Sequence, residues 1–290
     1  MKKNRIGNSI NYSRTVESTE ISQILKELDT YGFATISSFL TTETVSQIKA
    51  LTESHYNLLN KEGKIQYNGV PDRNKDDKIL YNLQNIDKAY IDILTTQPII
   101  DIASAKLNDP HYGFLPTGTP NYILNYYNAR SSGQKLDLHI DSLIPFYGNQ
   151  TNMMQFVLLL EDSTTKNGCT IVVPGSHKSA NYTDRDLQKT YPLTAKAGDL
   201  VMWDSRLWHG TMANTSGRSR WALVATLSMW WVKPTMDIVR GMNEEIYQQC
   251  DNQQKQFLGF CSIPPLNPLE RNNTKCGYDF LKPSIKDYNF

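Results

Sequence analysis

At 290 residues, with a hydrophobic fraction of 39% and a formal net charge of +1, the chain has the material for one large domain with a substantial core, or for two small ones. That composition is neither that of a disordered segment nor the basic footprint of a nucleic-acid binder. The early Lys2-Lys3-Asn4-Arg5 is followed by no apolar core, so no secretory signal is read there, and the longest greasy stretch, 222–232, is too short and interrupted to cross a bilayer. The expectation is a cytoplasmic protein, monomeric or homodimeric, that handles a small molecule and neither nucleic acid nor membrane.

Residues 1–15 are polar and read as a loose N-terminal segment. Ile21, Ile24, Leu25 and Leu28 then recur at helical spacing, with Ser18 and Thr19 as candidate caps and Tyr31-Gly32 as the stop. A short strand is expected at 33–36, and Thr41-Thr42-Glu43-Thr44 opens a second helix through Ile48 and Leu51 toward Leu59. The stretch 61–78 has no period and reads as a loop, either a solvated surface or a lid. Helical character returns over 86–106, with Ile91 and Leu94, then Ile99, Ile100 and Ile102 after Pro98.

After Pro110 the texture becomes strand-rich. Candidate strands are 122–127, 135–140, 152–160, 170–173, 199–203, 211–213 and 220–231, separated by Gly, Pro, Asn and Ser turns. A helical first third followed by dense strands predicts an α+β chain with a mainly β core, a sandwich or jelly roll buttressed by N-terminal helices. A polar helix is expected over about 237–256, then an irregular Pro-rich tail. The domain reading is a loose 1–15, one domain over 16–235, and a C-terminal 236–290 packing on it.

The chemistry concentrates between 136 and 221. His139 and Asp141, two apart on an extended chain, point to the same side of a strand. Alone this pair is weak, because a histidine two residues from an acid most often marks a surface strand. His209, in Trp208-His209-Gly210, could equally end a strand as a satisfied histidine. Together the three supply two imidazoles and one carboxylate, the facial set that leaves three positions open on a non-haem Fe(II). Arg218 and Arg220 follow on the returning strand, and a guanidinium fork suits the far carboxylate of a dicarboxylate chelating such a metal. Arg218 directly follows the turn Asn214-Thr215-Ser216-Gly217, so Arg220 is the better anchor. Parity from Arg220 places Ala222, Val224, Thr226 and Ser228 toward the site and Trp221, Leu223 and Leu227 toward the helices. His177 on a tight turn, His55 on the second helix and His111 without partner spacing are not read as ligands. Cys169, Cys250, Cys261 and Cys276 form no CxxC pair and read as reduced packing thiols.

These residues resemble the phytanoyl-CoA dioxygenase family of Fe(II)- and 2-oxoglutarate-dependent oxygenases. The matching features are His139-x-Asp141, Asn167-Gly168-Cys169-Thr170 leading to Pro174-Gly175-Ser176-His177-Lys178, Ala197-Gly198-Asp199 before a strand, and Trp208-His209-Gly210 with Arg220 eleven residues after His209. The opening, Tyr31-Gly32-Phe33-Ala34-Thr35-Ile36 between helices, is similar too, and the likeness runs over about 21–232. It implies a double-stranded β-helix with Fe(II) held by His139, Asp141 and His209 and with 2-oxoglutarate anchored by Arg220. It also implies Thr211 as a helper for that carboxylate and Ser142 and Tyr122 as further contacts to the cosubstrate. The implied reaction couples oxidative decarboxylation of 2-oxoglutarate by O2, giving succinate and carbon dioxide, to hydroxylation of an unactivated carbon. Related halogenases replace the acid with a small residue to admit chloride; Asp141 fills that place and favours hydroxylation, with desaturation and ring chemistry also open. Two alternatives stand beside this reading: a catalytically silent jelly-roll binding protein, and a cupin-like metal enzyme that does not use 2-oxoglutarate. The dicarboxylate anchor Arg220 speaks against both.

Overall fold

The computed structural model describes residues 12–63, 78–131, 133–180, 182, 189–218, 220–265, 267 and 276–289. The lid or surface reading of 61–78 therefore lies almost wholly outside the described residues.

Helix α1 (Ser18–Tyr31) buries Ile24 and Leu28, and Glu17 rather than Ser18 or Thr19 takes its N-cap position. The helix stops at Gly32, whose φ of 84° is left-handed and whose N–H bonds the Leu28 carbonyl. That turn feeds strand β1 (Phe33–Ile36) directly. Helix α2 (Thr42–Lys61) starts where Thr41 accepts a hydrogen bond from the Thr44 N–H at 3.1 Å. The helical stretch expected over 86–106 is two helices, α3 (Lys88–Leu94) and α4 (Gln97–Leu107), with Pro98 in the first turn of the second.

The strands β2 (Lys78–Tyr81), β3 (Ile123–Ser131), β4 (Leu136–His139), β5 (Met153–Leu159), β6 (Thr170–Val172), β7 (Tyr191–Leu193), β8 (Leu200–Asp204), β9 (His209–Thr211) and β10 (Ala222–Ser228) complete the core. They form a six-stranded sheet in the order β1-β8-β5-β10-β3-β2 and a four-stranded sheet in the order β4-β9-β6-β7. Every pairing is antiparallel. This is the expected jelly roll, with helices packed on the large sheet.

Strand parity divides the interior. On β10, Leu223, Ala225 and Leu227 join Ile91, Leu94, Ile99 and Ile102 in the large core between sheet and helices. Ala222 turns the other way and packs between the sheets with Val157, Leu159, Val172, Val201, Trp203 and Leu207. Apolar packing fills only part of the space between the sheets, and the remainder is the cavity described below.

The C-terminal stretch departs from expectation. In place of one helix over 237–256 stand three short ones, α5 (Ile238–Gly241), α6 (Glu244–Tyr247) and α7 (Asn252–Phe257). Asp237, Asn243 and Asp251 each accept backbone N–H bonds at a helix start, so three strong caps cut the segment into pieces. Ile238, Ile246, Tyr247, Phe257 and Phe260 nevertheless join the helix-side core. All four cysteines are free thiols.

Candidate active site

The site begins with a register. Strand β4 ends at His139 and β9 starts at His209, and antiparallel pairing sets these two residues opposite each other. Their ring centroids lie 4.3 Å apart. The approach depends on Gly210, because a Cβ there would lie 2.5 Å from the Leu136 carbonyl oxygen. Asp141 follows β4 on a turn whose Asp141 and Ser142 N–H groups both donate to the Ser205 carbonyl, at 2.9 and 3.0 Å. Its Oδ1 lies 3.5 Å from His139 Nε2 and its Oδ2 lies 3.3 Å from His209 Nε2. One ligand atom from each of the three residues falls within 4.8 Å of the others.

The far sides of both rings are fixed. His139 Nδ1 donates to the Asp137 carbonyl and His209 Nδ1 to the Leu207 carbonyl, each at 2.9 Å. A carbonyl can only accept, so each Nδ1 carries a proton, and it is Nε2 that faces the centre and offers a lone pair there when the ring is neutral. Burial pulls His139 down, but its hydrogen bonds to Asp141 and to the Asp137 carbonyl leave it above the ordinary imidazole value. Burial holds His209 below that value despite the attraction of Asp141. Burial raises Asp141, yet His209 and His139 outweigh it and keep the carboxylate below its usual range. The Trp203 ring packs against His209 at 5.0 Å between centroids.

The three residues open onto a cavity of about 640 Å³ between the sheets. Arg220, just before β10, and Ala222, Val224 and Thr226 on it line the cavity, and Tyr126, Asn128 and Arg130 line it from the neighbouring β3. Arg220 is only 6% exposed, its Nε meets no hydrogen-bond acceptor, and no ion pair joins it to a carboxylate among the described residues. Burial lowers its pKa, with Arg130 adding to the effect. Among the described residues Asp141 is the carboxylate on this wall, and the buried Arg220 guanidinium makes a place there for anionic oxygens. Arg218, by contrast, is exposed.

The other sequence candidates divide. Thr211 lines the cavity, its hydroxyl accepting from the Leu136 N–H at 3.2 Å. Ser142 does not: its hydroxyl donates to the Ile144 carbonyl at 3.2 Å, outside the cavity wall. Tyr122 faces the opposite way, 2% exposed in the helix-side core against Phe257. The expectation that Ser142 and Tyr122 touch a cosubstrate does not fit these positions. His177 is buried on the turn beside Gly32, where burial pushes it down to about 4, and it lines no part of this cavity.

Sequence reasoning missed Arg130 because the strand expected over 122–127 runs on to Ser131. Extending the alternation Tyr126, Asn128, Arg130 by one more period would have found it. Gln155 was missed as well, though a glutamine inside the apolar run Met153–Leu159 is itself a signal.

A model of the family described as phytanoyl-CoA dioxygenase (PhyH) matches residues 28–222. The chain belongs to the phytanoyl-CoA dioxygenase family. The sequence is 30% identical over 111 residues to an uncharacterized protein of Mycobacterium tuberculosis, covering 38% of this chain and 41% of that protein. It is 26% identical over 209 residues to the dioxygenase af480 of Aspergillus fumigatus, covering 69% of this chain and 64% of that one. The chain thus spans less than two thirds of the length of these curated relatives. Among solved structures, the non-heme alpha ketoglutarate dependent epimerase SnoN from nogalamycin biosynthesis is similar with a TM-score of 0.59 at 16% identity, covering 76% of this chain and 88% of that one. SnoN has also been solved with Fe3+ and alpha ketoglutarate. The carbocyclase SnoK from the same biosynthesis aligns with a TM-score of 0.54 at 19% identity, over 71% of this chain and 83% of that one. These likenesses establish a shared fold for this dioxygenase-family chain. Among its described residues no helix is long and apolar enough to cross a membrane.

Proposed function

We propose that the chain is an Fe(II)- and 2-oxoglutarate-dependent oxygenase of a small molecule bound in the cavity between its sheets. Its donor set fits the metal: two imidazoles with their Nε2 lone pairs turned inward and one ionised carboxylate. The observation that carries the cosubstrate is Arg220, a buried cation on the cavity wall with no carboxylate partner among the described residues. A dicarboxylate answers that need, with Arg130 and Thr211 on the same wall to receive its oxygens. Fe(II) with 2-oxoglutarate and O2 supplies the oxidising power, and the protein supplies position, access and dryness. Trp203 packs against His209 and belongs with Val157 and Leu159 to the apolar cluster between the sheets, which gives that side of the site a dry wall. SnoN, solved with Fe3+ and alpha ketoglutarate, supports the reading by analogy of fold.

The outcome we infer is hydroxylation of an unactivated carbon. Its support is the carboxylate at position 141, which occupies the place that a halogenase leaves open. Labelled dioxygen distinguishes the outcomes: hydroxylation leaves one labelled atom in the product, whereas epimerisation leaves none and ring closure removes two hydrogens. The reading as a whole is tested by anaerobic addition of Fe(II) and 2-oxoglutarate. A visible charge-transfer band is expected with the native chain and is lost in His209→Ala and in Arg220→Ala. A native chain that gives no band removes the proposal.

A further inference from the structure

Arg220 stands ahead of β10, at a point where the ladder has already ended. Its last rungs pair Ala222 with Arg130 of β3 and with Leu159 of β5. Side chains from both flanking strands carry the pairing further. Ser131, buried at the end of β3, accepts from the Arg220 N–H through Oγ at 2.8 Å. Glu161, just past the end of β5, accepts from the Trp221 N–H through Oε2 at 2.7 Å, and the Leu160 N–H donates to the Trp221 carbonyl at 3.0 Å. The other oxygen of Glu161 meets Lys49 Nζ of α2 at 2.9 Å. The acid is thus engaged on both oxygens, and among the described residues no ion pair joins it to Arg220.

We propose that Ser131 and Glu161 are positioning residues for Arg220, bracketing its backbone from the two neighbouring strands and thereby setting the affinity of the cavity for a dicarboxylate. The inference rests on the cosubstrate reading above and adds to it two residues that do not line the cavity. A guanidinium fork binds a carboxylate through two parallel hydrogen bonds, which demand alignment. The aim of so long a side chain depends on where its Cα is held. Here the ladder stops short of that Cα, and the hydroxyl of Ser131 and the carboxylate of Glu161 hold consecutive N–H groups in its place. Lys49 extends the bracket to helix α2, so the anchor is tied to three elements of the fold.

The test titrates 2-oxoglutarate anaerobically into the Fe(II)-loaded chain and follows the charge-transfer band. Ni(II) affinity without 2-oxoglutarate, and thermal unfolding in chelator, are measured beside it. Ser131→Ala leaves the Arg220 N–H without its acceptor and is expected to raise the dissociation constant for 2-oxoglutarate by about fivefold or more, with Ni(II) affinity unchanged. Glu161→Leu should move it in the same direction. Glu161→Gln, which keeps an acceptor for the Trp221 N–H, should bind closer to native than Glu161→Leu. Should Glu161→Leu fail to fold, Ser131→Ala, which deletes a single hydroxyl, carries the test alone. A 2-oxoglutarate dissociation constant within about twofold of native in Ser131→Ala, or a fall in Ni(II) affinity by the same factor, overturns the bracket and leaves the cosubstrate reading standing. A native chain that gives no band overturns both.

Discussion

Gly210 shows how little separates a metal site from two adjacent histidines. Its missing side chain lets the Leu136–Asp137 backbone pass at a distance where a Cβ would meet the Leu136 oxygen at 2.5 Å and the Asp137 carbonyl carbon at 3.2 Å. Contacts under 3 Å to backbone cannot be relieved by a rotamer change, so β4 itself would have to move. We expect Gly210→Ala to weaken metal binding by more than about tenfold, the scale on which misplaced ligands act, while the far-ultraviolet circular dichroism of the helices is retained. Titration of the metal into the variant checks this, and native affinity would show that β4 tolerates the shift.

At the scale of elements, the ligand-bearing turn is held by a second buried group. Arg206, 3% exposed, binds Asp204 through Nε at 2.9 Å and Nη2 at 2.7 Å, and Thr151 donates to the same carboxylate at 2.9 Å. Arg206 Nη1 also donates to the Gly148 carbonyl at 2.8 Å, and the guanidinium lies 4.5 Å from the Phe146 ring centre. The segment after Asp141 is thereby pinned under a buried ion pair, while its Leu143, Ile144 and Tyr147 remain exposed. Arg206→Ala leaves Asp204 buried without its cation, a loss of about 3–5 kcal/mol. Denaturant unfolding measures it, and a change below about 1 kcal/mol would place the pair among those that contribute little.

The same scale explains what the sequence disclosed. Long periodic helices and apolar strands were legible, because their burial pattern repeats along the chain: α1, α2, β5 and β10 all follow it. Strands β2 and β7, four and three residues long, escaped notice, β2 because it adjoins the stretch 61–78, which has no period of its own. The C-terminal helices were misjudged because polar composition hid three internal caps. In the site, His139, Asp141, His209 and Arg220 stood out by residue type and spacing. Arg130 and Gln155 left local signals that were passed over, a continuing alternation and a lone glutamine in an apolar run, whereas the place of Trp203 on the wall follows from which strands lie side by side, a property of topology. Ser142 and Tyr122 were placed by analogy of position, and neither backbone geometry brings them to the cavity.

For the molecule as a whole, β4 has one neighbour among the described strands. It is the rim of the small sheet, joined to β9 through an irregular register that pairs Leu136 with Thr211 and His139 with His209. A rim strand with so few ladder bonds opens at a low free-energy cost compared with the central strands. A divalent ion gripping His139 and His209 together would act as a rivet across that seam, and the ion's own binding energy would be added to the rim's resistance to opening. Mass action sets the size of the gain, about 2.7 kcal/mol at an ion concentration one hundred times the dissociation constant. Amide hydrogen exchange should therefore slow on β4 and β9 when metal is added and stay unchanged on β5 and β10. Uniform slowing across both sheets would mean that the seam and the centre open as one unit, and that this protein's resting turnover of structure is governed globally rather than at the doorway to its chemistry.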